Sequence, residues 1–298
     1  MTTGISTDRK ANLMGSLWMI ASMAAFAIED AFVKAVSETL PVGQLLILFG
    51  LGGAVVFASI ALFSKQPLFA AHVLSRAMRV RMVFEIAGRL FYVLAISLIP
   101  LSVATVILQA TPLAVVAGAA LLFGERVGWR RWAAVFVGLA GVVVIVQPGT
   151  ESFSMLSILA VVGMIGFAGR DLASRAAPLS ISTSVLGFYG FVSIVIAGAA
   201  FSVWQRAAFV MPGEDASLFL LGAVLAGVAA YACLMRAMRT GEVSAVTPFR
   251  YTRLLFGIAL GVAFFNEQLS ASMLLGSVLI VASGLFIVWR GKQIAAPK

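Results

Sequence analysis

Cysteine, histidine and charged residues are scarce in this sequence of 298 residues, which has one cysteine, one histidine and 11% charged residues. The single cysteine, Cys233, excludes an intramolecular disulfide bond. The single histidine, His72, lies between apolar segments, which excludes a Ser-His-Asp triad or a histidine-rich metal site inside one of them. A Gly-x-x-x-x-Gly-Lys-Ser/Thr loop is absent, which excludes an intrinsic P-loop ATPase. We therefore expect no enzyme, no cofactor and no metal site.

Apolar residues make up 61% of the chain, whereas a soluble domain has roughly a quarter of its residues charged. This composition predicts an all-α polytopic membrane protein. Helices are favoured over β-barrel strands, because such strands alternate polar and apolar residues over about ten positions. Ten apolar segments approach the length of about 20 residues that the bilayer core requires. They cover residues 12–35, 42–63, 82–99, 101–123, 130–147, 154–175, 181–204, 217–238, 243–265 and 270–289.

The net charge of +9 does not indicate nucleic acid binding, because the basic residues are concentrated in alternate connections between the apolar segments. The positive-inside rule places these connections, and therefore both termini, in the cytoplasm. The first apolar run is too long for a signal-peptide core, so we expect it to be a retained helix. The basic residues on that side are Arg9, Lys10, Lys65, Arg76, Arg79, Arg81, Arg126, Arg130, Arg131, Arg236, Arg239, Arg290, Lys292 and Lys298.

Two motifs recur along the chain at nearly the same displacement. The motif Phe26-x-x-Glu-Asp-x-x-x-Lys34 is matched 141 residues later by Phe167-x-x-Arg-Asp-x-x-x-Arg175. The motif Pro100-Leu-Ser-Val-Ala-Thr, with Phe-Gly-Glu125, is matched 142 residues later by Glu-Val-Ser-Ala-Val-Thr247, with Phe-Asn-Glu267. Each unit holds five helices, an odd number, so the second unit must enter the membrane from the opposite side. We therefore predict two inverted repeats, at residues 1–149 and 150–298, as in secondary transporters.

These motifs resemble the drug/metabolite transporter superfamily, in its ten-helix EamA-type branch, over about residues 12–290. Membership implies a basket of helices around a central cavity in a bacterial inner membrane, with alternating access and no ATP hydrolysis. Within the branch, Pro41-Val-Gly-Gln44 and Pro248-Phe-Arg-Tyr-Thr-Arg253 resemble members that import riboflavin. A related arginine-bearing ninth helix also occurs in S-adenosylmethionine carriers of the superfamily.

Two arginines, Arg250 and Arg253, lie inside the ninth apolar segment. An unpaired charge there costs at least about 2.5 to 3.5 kcal/mol, so charges at this depth are functional-site candidates unless they form a structural ion pair. Residues three apart share a helix face, which predicts that both guanidinium groups point into the same space. Pro112 and Pro248 predict a bend or interruption in the fourth and ninth segments.

Further charged and aromatic residues at membrane depth extend the predicted site. The spacing of Glu85 and Arg89 favours pairing along one helix face, while Lys34 and Arg175 lie near helix ends and can reach the interface. The remaining cavity is neutral if every charge is paired, and favours carboxylate, phosphate or carbonyl-rich ligands if the ninth-segment arginines are not fully paired. We predict that substrate is bound by Arg250, Arg253, Tyr251, Phe249, Arg89, Glu85 and Tyr92, beside a gating or charge network of Glu29, Asp30, Arg170 and Asp171.

The sequence therefore predicts a secondary transporter of a small organic metabolite, embedded in the lipid bilayer. Riboflavin uptake is the specific hypothesis, because rings beside fixed donors suit a flat molecule with a polar edge. Export of amino acids or related metabolites is the alternative, since a carboxylate suits an arginine pair. A scaffold or receptor that transports nothing is a third reading. The sequence determines neither the direction of transport, nor a coupling ion, nor an oligomeric state.

Overall fold

The computed structural model describes residues 3–69, 73, 75–123, 128–147, 154–175, 181–240 and 247–295. All regular structure within these ranges is helical, which confirms the predicted all-α class. The predicted boundary at residues 149 and 150, together with Glu125 and His72, lies outside the described residues. The helices are α1 (Thr3–Ser37), α2 (Val42–Phe63), α3 (Arg76–Leu98), α4 (Leu101–Leu108), α5 (Thr111–Phe123), α6 (Trp129–Val146), α7 (Ser157–Arg175), α8 (Thr183–Gln205), α9 (Glu214–Thr240), a 3-10 segment (Thr247–Tyr251), α10 (Thr252–Phe265) and α11 (Ala271–Ala295).

Each predicted apolar segment overlaps helical structure among the described residues. Within the described chain, six stretches are long and apolar enough to cross a membrane: Lys10–Ser37, Val42–Phe63, Leu101–Leu122, Ser157–Ser174, Thr183–Gln205 and Glu214–Leu234. Shorter apolar helices cover Trp132–Val146 and Ala271–Phe286. Helix α3 is not among them because it carries Arg81, Glu85 and Arg89 within its apolar part, and α10 has only 14 residues.

The helices pack in pairs that cross between the two repeats. Helix α1 lies along α9, and its repeat equivalent α7 lies along α3, the equivalent of α9. Helices α2 and α8 are equivalent to each other and pack together, as are α6 and α11. Exchanging the two repeats therefore preserves the pattern of contacts, as expected for inverted repeats. Close approach depends on small residues, since the backbone of Gly88 in α3 leaves no room for a Cβ at Gly166 in α7.

The fourth and ninth spans are both interrupted, at equivalent positions. Helix α4 ends at Leu108, next to Gln109, and the 3-10 segment ends at Tyr251, 142 residues after Gln109. Pro112 has no N–H to bond the carbonyl of Leu108, and the Thr111 hydroxyl donates to that carbonyl at 2.5 Å instead. The Gln109 side-chain amide donates to the carbonyl of Arg250 at 3.1 Å, so the two interruptions contact each other.

The corner between α3 and α4 is held by the side chains of Lys34, in α1, and Glu267, which follows α10. Lys34 of α1 donates from Nζ to the carbonyls of Ile96 and Ile99, both at 2.9 Å. Glu267 accepts from the backbone N–H of Leu101 at 2.5 Å and of Ser102 at 2.9 Å. The lysine thus meets the C-terminus of α3 and the carboxylate meets the N-terminus of α4, which are the favourable ends for each charge.

The orientation of the chain in the membrane is a testable prediction, with both termini cytoplasmic. Alkaline phosphatase is active only outside the cytoplasm, so fusions after residues 38, 151 and 214 are expected to be active. Fusions after residues 76, 128 and 240 are expected to be silent, because basic connections remain inside. Activity measured in intact cells checks the pattern, and the opposite pattern would reverse the orientation.

Candidate substrate site

A cavity of about 270 Å³ lies where the two repeats meet. Its wall combines side chains from α1, α3, α4 and α5 of the first repeat with side chains from α7, α8, α9, α10 and the 3-10 segment of the second. Most of the residues predicted for substrate binding or the charge network lie in this wall. They are Arg250, Arg253, Arg89, Glu85, Tyr92, Glu29, Arg170 and Asp171.

One group of charges is closely paired, and we call Glu29, Asp30, Arg89 and Arg253 the neutral cluster. Glu29 and Asp30 of α1 are buried. Arg89 of α3 contacts Glu29 at 2.6 Å, and Arg253 of α10 contacts Asp30 at 2.6 Å. The Tyr92 hydroxyl also donates to Asp30, at 3.1 Å. Asp30 lies behind the wall formed by its partners and links α1 to the ninth span.

A second group, the cationic cluster, comprises Arg81, Arg170 and Arg250 with the acids Glu85 and Asp171. Arg170 contacts Asp171 at 2.8 Å and Glu85 at 3.3 Å. Arg81 contacts Glu85 at 3.6 Å, and Arg250 contacts Asp171 at 3.8 Å. Three guanidinium groups share two carboxylates, so this cluster carries a net charge of +1.

Arg250 is the least tightly held arginine of the cationic cluster. Its 3.8 Å contact with Asp171 is the longest of the ion pairs described, and its side chain is 31% exposed. Asp171 is already engaged by Arg170 through two hydrogen bonds, at 2.8 and 3.0 Å. Arg250 therefore retains donors that can bond an incoming acceptor.

The ninth span connects equivalent positions of the two repeats. Asp30 and Asp171 occupy the same place in the repeated motif, and Arg253 pairs with the first while Arg250 pairs with the second. The two arginines thus reach α1 and α7 from one segment. Within the described part of the chain, no group of three His, Cys, Asp or Glu side chains is arranged to hold a metal ion.

Glu85 and Arg89 lie in the wall, but the favoured pairing between them is wrong. Glu85 instead meets Arg81 of its own helix and Arg170 of α7. Arg89 reaches across to Glu29 of α1. The local i,i+4 contact that forms is the one between Arg81 and Glu85, whereas Arg89 pairs with Glu29 because α1 brings that buried carboxylate within 2.6 Å of it.

Phe249 and Tyr251 do not line this cavity. Phe249 packs against Met19, Met23 and Ala237, while Tyr251 is buried with its ring against α11, where Gly284 makes room for it. The reason is helical geometry, α or 3-10, in which residues three apart lie on one face and adjacent residues point in different directions. Arg250 and Arg253 therefore share a face, and the two aromatic neighbours of Arg250 point elsewhere.

Other aromatic side chains also form part of the wall, and among them Phe26, Phe167 and Phe191 were not predicted from the sequence. Phe26 lies beneath Arg253, with its ring centroid 5.0 Å from the guanidinium, and Phe167 lies 4.8 Å from Arg170. Phe191 and Tyr231 add two further rings. The signal for the first two was available, because Phe26 and Phe167 both begin the repeated motif.

Arg81 also belongs to the site, which corrects its assignment to a cytoplasmic connection. It lies within α3, is 5% exposed and lines the cavity. Its Nε donates to the Ser174 hydroxyl at 3.0 Å. The spacing of Arg81, Glu85 and Arg89 at intervals of four was the signal that placed it on the same helix face.

The repeats, the cavity and its buried charges are those of a membrane transporter, and comparison with known proteins gives its family. The EamA-like transporter family matches residues 13–147 and again 154–289. The chain therefore belongs to this family, within the drug/metabolite transporters. A protein of solved crystal structure, with 20% sequence identity to this chain, superposes on it with a TM-score of 0.62. The superposition covers 97% of this chain and 99% of that chain, which shows a shared fold.

Three relatives of different named function are similar over nearly the whole chain. The S-adenosylmethionine uptake transporter of Rickettsia prowazekii is 25% identical over 97% of this chain and 97% of its own. The riboflavin transporter of Rhizobium johnstonii is 26% identical, over 96% and 94%. The pseudopaline exporter of Pseudomonas aeruginosa is 28% identical, over 90% and 94%. The named substrates differ while the identities are nearly equal, so similarity alone does not select a substrate.

Proposed function

We propose that the chain is a secondary carrier of the bacterial inner membrane, with both termini cytoplasmic, that moves a small organic metabolite through the cavity by alternating access. The observation that carries this proposal is a charged cavity with aromatic walls, built jointly by two inverted repeats. In the proposed orientation the corner between α3 and α4 faces outward. Lys34 and Glu267 hold this corner, and the cavity lies on its cytoplasmic side. This conformation then corresponds to an inward-facing state.

The two clusters take different parts in this mechanism. The neutral cluster joins α1, α3 and α10 through short ion pairs, and we assign it to holding the repeats together on the closed side. In the cationic cluster, Arg250 is the least tightly held arginine and Glu85 lies in the wall, and we assign both to substrate contact. Tyr92 supports this arrangement through its bond to Asp30. Opening the carrier on the side that is closed in this conformation requires Arg250 and Arg253 of the ninth span to change their ion-pair partners.

The proposed substrate combines a flat ring with polar groups. Riboflavin is one candidate, supported by the aromatic rings in the wall and by the riboflavin transporters among the relatives. An amino-acid-derived metabolite is the second candidate, and the net charge of the cationic cluster favours it, because a carboxylate bonds strongly to guanidinium groups. The S-adenosylmethionine and pseudopaline transporters among the relatives have names that agree with this candidate.

A riboflavin-auxotrophic bacterium without its own importer tests the first candidate. If the chain imports riboflavin, its expression is expected to restore growth on low micromolar riboflavin. A matched strain expressing Arg250→Ala at the same membrane level controls for leakage. Growth that remains dependent on high riboflavin, with the protein confirmed in the membrane, would contradict the flavin hypothesis.

Proteoliposomes test the wider proposal. Purified protein is expected to accelerate the movement of radiolabelled riboflavin, S-adenosylmethionine or an aromatic amino acid across the vesicle membrane. Uptake and efflux are measured separately, which also gives the direction of transport. A protein that binds one of these compounds and moves none of them would be a receptor or scaffold.

A further inference from the structure

Arg81 is a buried arginine with an unused donor in the wall of the cavity. Its side chain is 5% exposed, and among the described residues its Nη1 has no hydrogen-bond partner. Its Nε donates to Ser174 at 3.0 Å, whereas Nη2 lies 3.6 Å from Glu85, an ion pair that is too long for a hydrogen bond. Nη1 is enclosed by protein, so a ligand reaches this incompletely bonded guanidinium through Nη2, where an added acceptor is favourable.

The nearby charges do not neutralise Arg81. Glu85 is shared with Arg170, which approaches it more closely, at 3.3 Å. Arg170 in turn holds Asp171, which also faces Arg250. The positive charge left over in the cationic cluster therefore lies on its two outer arginines, Arg81 and Arg250. Arg81 and Arg250, at the ends of the cationic cluster, therefore favour a negative group, whereas the charge of Arg170 at its centre is balanced by Glu85 and Asp171.

The wall opposite Arg81 offers room for such a group. Gly190 of α8 lines the cavity, and a Cβ added there would have one neighbour within 4 Å, Arg81 Nη2 at 3.9 Å. That distance is an ordinary van der Waals contact. Most other glycines of the helix interfaces are packed against backbone or side chains, as Gly187 is against Phe57 one turn away. Gly190 thus leaves open the space in front of the Arg81 guanidinium.

We propose that Arg81 and the space at Gly190 form a subsite for an anionic group, a carboxylate or a phosphate, of the transported metabolite. The inference rests on the proposed function in one respect, that this cavity is the transport site. A planar guanidinium with an open side bonds the oxygens of either group through parallel hydrogen bonds. The subsite distinguishes between metabolites that share a ring system and differ in whether they carry a negative group.

Gly190→Asp tests the subsite by supplying the anionic group from the protein itself. Its carboxylate is expected to lie beside Arg81, occupy the subsite and raise the Tm of the ligand-free protein. Gly190→Asn is the matched control, because it has nearly the same shape without the charge. Thermal unfolding of the purified full-length protein in detergent measures both variants. A Tm for Gly190→Asp at or below that of Gly190→Asn would overturn the proposal.

Ligand binding is measured on the same proteins with defined probes. Inorganic phosphate and acetate, compared with chloride at constant ionic strength, are expected to raise the Tm of the unsubstituted protein but not that of Gly190→Asp, whose side chain fills the space in front of Arg81. Riboflavin against its 5′-phosphate, and adenosine against its 5′-phosphate, compare the same ring system without and with an anionic group. For any pair that binds, the anionic member is expected to bind about 10- to 100-fold more weakly to Gly190→Asp.

The remaining outcomes each decide the question. Absence of any anion effect on the unsubstituted protein, or an equal anion effect in Gly190→Asp, would overturn the subsite. If neither Gly190 variant folds, Arg81→Gln carries the test and is expected to lose the anion effect. Anion binding by a protein that moves no metabolite in proteoliposomes would contradict the proposed transport and leave the subsite standing. Transport of a neutral metabolite without any anion effect would contradict the subsite and leave the proposed transport standing.

Discussion

Asp30→Ala is expected to lower the free energy of unfolding by about 3 to 5 kcal/mol, because it leaves the buried guanidinium of Arg253 without its carboxylate. The contact between them is 2.6 Å long, and both side chains are at least 85% buried. The loss also removes the acceptor of the Tyr92 hydroxyl. Unfolding in detergent, followed by denaturant titration, measures the change.

The matched control for this prediction is Asp215→Ala, at an exposed position in the first turn of α9. It is expected to change stability by no more than about 1 kcal/mol, the value of a charge at a helix end. The double variant Asp30→Ala with Arg253→Ala is expected to lose less free energy of unfolding than the sum of the losses in the two single variants, because no unpaired charge remains. Additive losses would show that the pair does not contribute as a unit.

Arg250→Ala is expected to behave differently, with transport lost and the fold retained. This arginine is 31% exposed and has only a 3.8 Å ion pair, so its removal leaves Asp171 still bonded to Arg170. If Arg250 contacts substrate, the rate of uptake at low substrate concentration is expected to fall about 10- to 100-fold, the value of a charge-assisted hydrogen bond. Initial rates of uptake into proteoliposomes measure the effect.

Arg130→Ala provides the control for Arg250→Ala, since Arg130 is an exposed arginine near the start of α6. Its removal is expected to leave both transport and stability nearly unchanged. Arg253→Ala is the informative contrast, because it is expected to reduce transport together with stability. Normal uptake by Arg250→Ala would show that Arg250 does not bind the substrate.

The sequence was sufficient for the architecture because membrane helices must be long, apolar and internally hydrogen-bonded. The same constraint identified the site, since charges such as Glu29 and Arg170 are tolerated at that depth only where they face other polar groups. Pro112 and Pro248 also predicted the interruptions of the fourth and ninth spans. Physical rules that apply to one helix at a time were enough for these features.

The ion-pair partners of the charged residues were not predictable, because they depend on which helices pack against each other. Arg89 has Glu85 four residues before it on its own helix, yet the structure pairs it with Glu29 of α1. Phe249 and Tyr251 were predicted beside the arginines because they flank Arg250 in the chain. Adjacent residues of an α or 3-10 helix point in different directions, so Phe249 and Tyr251 pack elsewhere.

The corner between α3 and α4 also bears on how this chain tolerates sequence change. Lys34 and Glu267 bond only main-chain atoms there, the carbonyls of Ile96 and Ile99 and the N–H groups of the next helix. Every amino acid has that carbonyl, and every one except proline has that N–H. The side chains of the receiving residues thus take no part in these hydrogen bonds, and they are constrained by packing instead, because Ile96, Ile99 and Leu101 are all buried. A substitution scan of the corner is expected to accept other apolar residues of similar size at these three positions, and to accept no loss of charge at Lys34 or Glu267.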